Sequence, residues 1–271
     1  MLGFVLALVG AALSAVAQTP CFEWRLKAGT TVRYRVEAFD TLAIIGEPVL
    51  YRHRREDWLL KCDSTRGDTM FVQQRLTTYW AREHTDSGDT SYRTMIPWVG
   101  KSAVLVITGR GHRVQVISPQ TDSLGLVPGS IAGPTFFPPL DSVCTRCDQG
   151  VQWLAEQRDT LVEYAYPPAR IERLYLGTVD SCTERGKPFL LTIAETSRGQ
   201  HIVRVSEFVV QTAFWILAHA AIEIDTAASI PRRISYAQRA RIAIERGTTG
   251  KTKNGEQRTH ANISAIETTQ H

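Results

Sequence analysis

The feature that most constrains this chain is a period of two. Val32, Tyr34 and Val36 alternate with Arg33, Arg35 and Glu37. In an extended chain this puts apolar groups on one side and charges on the other, the mark of a strand with one wet face. Val104 to Thr108 and Val114 to Ile117 flank Gly109-Arg110-Gly111-His112, which predicts a hairpin around a glycine turn. Further strands are predicted at Val49–Cys62, Thr69–Trp80, Ile171–Val179, Phe189–Thr196, His201–Val210, Ala213–Asp225 and Ile234–Ile244. Turn clusters separate them at Ser64–Asp68, Ser87–Asp89, Glu184–Pro188 and Ser197–Gly199. Many strands, short turns and no long amphipathic helix predict an antiparallel all-β protein, a curved sheet or half-barrel.

The middle of the chain breaks this pattern. From Pro119 to Pro139 there are five prolines and three glycines, which rules out a central strand and predicts a surface crossing between two β-rich halves. The expected organisation is a first half over 18–118, the Pro/Gly-rich crossing over 119–140, a second half over 141–249 and a polar C-terminal tail over 250–271. That tail reads as a frayed terminus or a final edge strand centred on Ala261 to Ile266. At 271 residues a chain buries roughly 70–75% of its unfolded surface, so the core needs neither disulfide nor metal. The net charge of +4 is spread along the chain, and nucleic acid is not an expected partner.

Residues 1–17, MLGFVLALVGAALSAVA, carry no charged side chain and end in Ala15-Val16-Ala17. An apolar run followed by an A-x-A site predicts a signal peptide cut between Ala17 and Gln18, and hence export to the periplasm, cell surface or medium. The run is short for a bilayer span of ~20 residues. Gln18-Thr19-Pro20 ahead of Cys21 does not fit a lipobox. Phe208 to Ile224 contains Gln211, His219 and Glu223 and reads as a buried strand or core helix, so no transmembrane span is expected in the mature chain.

Two segments echo each other: Trp58-Leu59-Leu60-Lys61-Cys62 to Gly67, and Leu176-Gly177-Thr178-Val179 through Cys182 to Gly186. Each then resumes an apolar strand. Three later features follow in order: Phe137-Pro138-Pro139-Leu140, Asp148-Gln149-Gly150-Val151-Gln152-Trp153, and Glu223-Ile224-Asp225-Thr226-Ala227 before Ile230-Pro231. In this order of elements the chain resembles exported bacterial proteins classed as domains of unknown function. Those families bring no catalytic residues with them. Their sheet is similar in outline to the open half-barrels of envelope lipoprotein carriers, and the resemblance implies a concave apolar face that holds acyl chains.

Five cysteines, at 21, 62, 144, 147 and 182, are expected to be partly paired in an oxidising compartment. Cys144-Thr145-Arg146-Cys147 is open to a loop-stapling disulfide, to thiol–disulfide exchange, or to a structural zinc site with Cys62 and Cys182. In extended chain residues three apart lie ~10 Å from each other, so a bond within the motif needs a turn. Cys62 and Cys182 are candidates for a bridge between the halves, which leaves Cys21 over. No metal site is expected: the seven histidines form no H-E-x-x-H or H-x-H pair, and His84 with Asp86 and Asp89 sits in a polar turn. His219 reads as a core histidine.

No G-x-S-x-G and no phosphate-binding glycine loop is present. Asp40, Glu56, Asp57, Glu156, Asp159 and Glu163 are unpaired by sequence. In the basic run Tyr51-Arg52-His53-Arg54-Arg55, strand geometry puts Arg52 and Arg54 on one face and His53 and Arg55 on the other, and the run is read as a solvated strand face or protected edge. Asn262-Ile263-Ser264 fits a glycosylation acceptor in a eukaryotic host. The chain is thus expected to be an exported, cofactor-free, non-enzymatic protein that binds an apolar or lipid-like ligand on a concave face. Trp58, Trp80, Phe208, Phe214 and Trp215 are the aromatics to line it. The alternatives are a protein docking to another envelope component and a thiol–disulfide enzyme.

Overall fold

The alternation turns into long strands. A computed structural model describes residues 22–96, 98–117, 136–140, 152–161, 169–181, 189–205, 208–246 and 251–269. They form β1 (Thr31–Ile44), β2 (Leu50–Arg66), β3 (Thr69–Thr85), β4 (Thr90–Arg93), β5 (Ser102–Thr108), β6 (Arg113–Ile117), β7 (Gln152–Leu161), β8 (Ala169–Ser181), β9 (Phe189–Val205), β10 (Phe208–Asp225), β11 (Ile230–Arg246) and β12 (Lys251–Thr269). Among the described residues there is no helix. The strands make one antiparallel sheet in the order β6-β5-β3-β2-β1-β12-β11-β10-β9-β8-β7, with β4 beside β3. The sheet curls until β6 and β7 approach within 8 Å between Cα atoms, but no ladder joins these two edges and the barrel is not closed. The expected all-β curved sheet is what forms.

The inward face is the core. Across β2, β1, β12 and β11 the paired residues Glu56, Val36, Ile263 and Ile234 share a row, which continues through Ile222, Leu191 and Val179 on β10, β9 and β8. One end of this interior is filled by two segments outside the sheet. Phe22, Trp24 and Leu26 come from ahead of β1, and Phe136, Phe137 and Leu140 come from the end of the proline-rich stretch; all six are buried. Trp24 meets Phe22 and Phe137 edge to face. Its indole N–H donates to the Pro138 carbonyl (3.0 Å), and Trp153 on β7 donates to the Pro139 carbonyl (3.0 Å). At Gly111, in the turn before β6, φ is +85° and a Cβ would lie 2.2 Å from the Pro138 oxygen. This plug therefore ties the hairpin of β5 and β6 to β7 across the open seam.

Three expectations change. Phe136–Leu140, the described end of the crossing, is buried and not on the surface. An apolar Phe-Phe-Pro-Pro-Leu run covers core at an open barrel end better than it faces water. Ser197-Arg198-Gly199 is not a turn, because β9 runs straight through it, with Ser197 inward and Arg198 outward. The polar C-terminal tail is a 19-residue strand, β12, and it lies in the middle of the sheet between β1 and β11. Its inward positions Thr259, Ala261 and Ile263 are buried, and its remaining polarity faces out. The expected signal segment with Ala17 and Gln18, Cys21, residues 119–135, Cys144, Cys147, Glu163 and Cys182 lie outside the described residues.

The outward face is laced with ion pairs. Arg35 holds Asp57 (2.9 Å) and Arg55 holds Glu37 (2.7 Å). The hydrogen bond from Arg35 holds the Asp57 carboxyl below its ordinary value, against the opposing effect of burial. A depressed carboxylate contributes stability above its unfolded pKa and loses it as pH falls through the folded one. Arg35→Gln is therefore expected to cost a little stability at neutral pH and nothing in strong acid. Urea melts at the two pH values check this, and an equal loss at both would contradict it.

Candidate functional site

Two places gather functional groups. The first is a polar row inside the sheet. In register, Glu83, Arg52, Asp40, Thr259 and Gln238 lie side by side from β3 to β11, and Ala218, Glu195 and Tyr175 continue the row to β8. Arg54, one step along β2, donates through Nε to Asp40 (2.8 Å) and through a second nitrogen to Glu56. Asp40 also accepts from Thr259 (2.7 Å), and Glu56 accepts from the indole of Trp58 (2.8 Å). Arg52 binds Glu83 (2.6 Å), which meets Arg93 at 3.4 Å.

Burial works to lower the pKa of Arg54, but Glu56 and Asp40 outweigh it and the value is raised. Burial also raises Tyr79, with Arg52 and Arg54 opposing. In the other half Arg173 binds Glu195 (2.9 Å), which also accepts from Ser197. Three arginines thus face three carboxylates around Asp40, each already engaged. Such a self-neutralised cluster holds a geometry and leaves little for a ligand to gain. The reading of Arg52 and Arg54 as solvated is corrected: both turn inward, with 28% and 16% of their side-chain surface exposed.

The second place is a cleft of about 940 Å³ at the ends of β9 to β12 and β1. Two outward rows line it. Arg198, Trp215, Arg241, Glu256 and Ala43 form one; Gln200, Ala213, Ala243, Asn254 and Ile45 form the next. Between them pass Gly199, Phe214, Ile242 and Gly255. Ala213 and Ala243 keep its floor low, and β1 runs so close to β12 there that a Cβ on Gly255 would lie 2.9 Å from the Ala43 oxygen. Trp215 and Ile45 are 59% and 74% exposed.

The rim is charged. Arg198 binds Glu172 (2.6 Å), while Glu256 takes both Arg239 (2.6 Å) and Arg258 (2.8 Å). Hydrogen bonds from these arginines hold Glu172 and Glu256 below the ordinary carboxylate range. Arg241 faces Glu256 in register, but with that carboxylate taken, Arg241 has no ion-pair partner among the described residues. A smaller cleft of about 350 Å³ continues from Trp215, Arg198 and Glu172 to Leu174 and Glu156.

The aromatics expected on a concave face divide. Trp58 and Phe214 are buried, Trp80 points outward against His53 and Tyr92, Trp215 opens into the cleft, and the Phe208 side chain is outside the described set. The concave face itself is occupied by core. His219 is exposed on the outward face and is not a core histidine. His84 stacks on Tyr51, Asp86 accepts the Val49 N–H, and Asp89 accepts the Ser87 hydroxyl. Cys62 is buried as a free thiol 3.6 Å from the Leu26 and Ser64 carbonyls, and burial raises its pKa. Its candidate partner Cys182, like Cys144 and Cys147, lies outside the described residues.

No family model matches the sequence, and no curated protein matches it. Among solved structures the chain is similar to two Pseudomonas aeruginosa proteins. OccK5 (OpdH) shares 9% identity at a TM-score of 0.22 over 91% of this chain and all of that one. OpdQ shares 8% identity at 0.21 over 89% of this chain and all of that one. Likenesses this slight carry no argument about fold or function.

Proposed function

We propose that this is an exported, ligand-binding protein that takes an amphiphile with an acidic head, its apolar part against Trp215 and Ile45 and its head at Arg241. The cleft carries the reading: its volume falls within the about 300–1,000 Å³ of small-molecule sites. It exposes a tryptophan and an isoleucine inside a rim of ion pairs. The binding surface is thus the outward cleft, while the concave face is core. Export rests on the A-x-A segment at Ala17 and Gln18.

Dodecanoate is the first probe, titrated into the mature chain with tryptophan emission as the readout. Trp215→Ala removes the largest apolar contact and is expected to weaken binding about 10- to 100-fold. Arg241→Gln is expected to weaken it about tenfold, and to leave a neutral dodecyl alcohol unaffected. Wild-type affinity in both variants would place the ligand elsewhere. The redox alternative has its own test, thiol exchange lost in the Cys144→Ser and Cys147→Ser pair.

A further inference from the structure

The outward face contains a band without formal charge. One row runs Leu154, Leu176, Ala194, His219, Ala237 and His260 from β7 to β12; the next runs Gln152, Thr178, Thr192, Ala221, Ser235 and Asn262. At sheet spacings the two rows cover ~29 Å by ~14 Å, about 400 Å². Leu154 and Leu176 are 60% and 48% exposed, and Leu174 and Leu217 at 40% and 54% extend the apolar surface toward the cleft. Leu217 is two residues from Trp215 on the same face, so band and cleft are continuous. Four exposed leucines thus stand within four neighbouring strands, β7 to β10, on a stretch of sheet that is uncharged on one side; single scattered apolar residues would need no explanation, and this cluster does.

The charges beside it are uneven. In the two rows that adjoin the band on the cleft side stand Arg158, Arg198, Arg239, Arg241 and Arg258 against only Glu156, Glu172 and Glu256. The surplus is positive, so a second copy of this chain set face to face would repel itself, whereas an anionic surface would be drawn in. The band is too narrow to span a bilayer. A lipid-facing barrel needs an apolar zone ~25 Å tall, and here Glu223 and Arg233 close the band on the far side.

We propose that the leucine band docks the protein on an anionic bilayer surface, with the arginines of the flanking rows on the headgroups and the cleft mouth against the lipid. This rests on the cleft being the amphiphile site, since docking there shortens the ligand's path out of the membrane. The full mature chain is sedimented with vesicles of phosphatidylglycerol and phosphatidylcholine, and with phosphatidylcholine alone. Binding is expected to the mixed vesicles, to be about tenfold weaker to the neutral ones, and to fall with salt.

Leu154→Ser, Leu176→Ser and Leu217→Ser together are expected to cost about 100-fold in partitioning, with dodecanoate affinity kept. Leu176→Trp is expected to bind the mixed vesicles at least as well as wild type and to shift its emission to the blue on them. The proposal is overturned if the triple variant partitions like wild type, or if wild type ignores both vesicles. A dimer, or an acidic protein held by the leucine band in place of lipid, would overturn it as well. Dodecanoate binding without vesicle binding would sink the docking and leave the cleft reading standing; vesicle binding without dodecanoate would do the reverse.

Discussion

Arg54→Met is expected to lower the unfolding free energy by about 3–5 kcal/mol, because it strands two carboxylates in the interior. Asp40 and Glu56 are 5% and 7% exposed, and Arg54 is the cation that touches both. Arg52 stands 4.0 Å from Asp40 and offsets part of the loss there, but among the described residues Arg54 alone forms an ion pair with Glu56. The remaining bonds, from Thr259 to Asp40 and from Trp58 to Glu56, supply dipoles and no charge. Urea unfolding at neutral pH reads the effect as a lower midpoint with an unchanged slope. Adding Asp40→Asn and Glu56→Gln to Arg54→Met is expected to recover most of the loss, since a neutral cluster needs no counter-charge. If Arg54→Met alone melted within about 0.5 kcal/mol of wild type, the cluster would hold nothing together.

Gly177→Ala is expected to be about as damaging, at roughly 3–5 kcal/mol. The Trp153 ring lies on this glycine: a Cβ would sit 2.0 Å from one ring carbon and 2.3 Å from two others. Both flanks are ladder, with Gly177 paired to Trp153 on one side and Ile193 on the other, so the backbone cannot retreat. The ring must leave, and with it goes the hydrogen bond to Pro139 that fastens the plug to β7. Gly46→Ala is the control. There φ is +83° but no atom lies within 4 Å of a new Cβ, so only local strain of about 1 kcal/mol is expected. Trimming Trp153 to Val before adding Gly177→Ala should remove most of the penalty. A double-mutant cycle that found the two changes additive would show that the ring and the glycine do not meet.

How far the sequence could be read depended on whether a residue's face was visible in it. Val32, Tyr34 and Val36 announced β1, and the glycines at 109 and 111 announced the hairpin of β5 and β6, because each pattern is local. The same parity argument put Arg52 and Arg54 on one side of β2. It could not say which side was dry, since that depends on Asp40, Glu83 and Thr259, which reach the same row only through pairing of β1, β3 and β12. Ser197-Arg198-Gly199 looked like a turn by composition, yet Ser197 and Arg198 are each held by a carboxylate, Glu195 within the same strand and Glu172 on the neighbouring one. The tail after residue 250 looked unfit for a sheet centre because its inward side chains are small, Thr259 and Ala261 among them. Opposite Ala38 and Tyr236 small is what fits.

The cleft was invisible for the same reason. Trp215 and Arg241 meet through the pairing of β10 with β11, Ile45 arrives from the end of β1, and Ala213 and Ala243 matter by leaving room. The lone signal was Trp215 itself, a large apolar residue at an outward parity in a strand whose other face was already apolar. By residue type alone Trp215 groups with Trp58 and Phe214, which lie on the opposite, buried face.

The central place of β12 bears on how this chain comes to be made. Its residues follow those of every other strand, yet β1 has one of its two ladders only with them. While the ribosome adds ~5–20 residues per second, hairpins such as β2–β3 can form early. Among the described residues the two wings of the sheet share no ladder until residues 251–269 emerge. For the export proposed above, a nascent chain that cannot complete its sheet early stays loose enough to thread through a translocation pore. Any product stopped short of these residues would display two raw sheet edges, the form that proteases and aggregation select against.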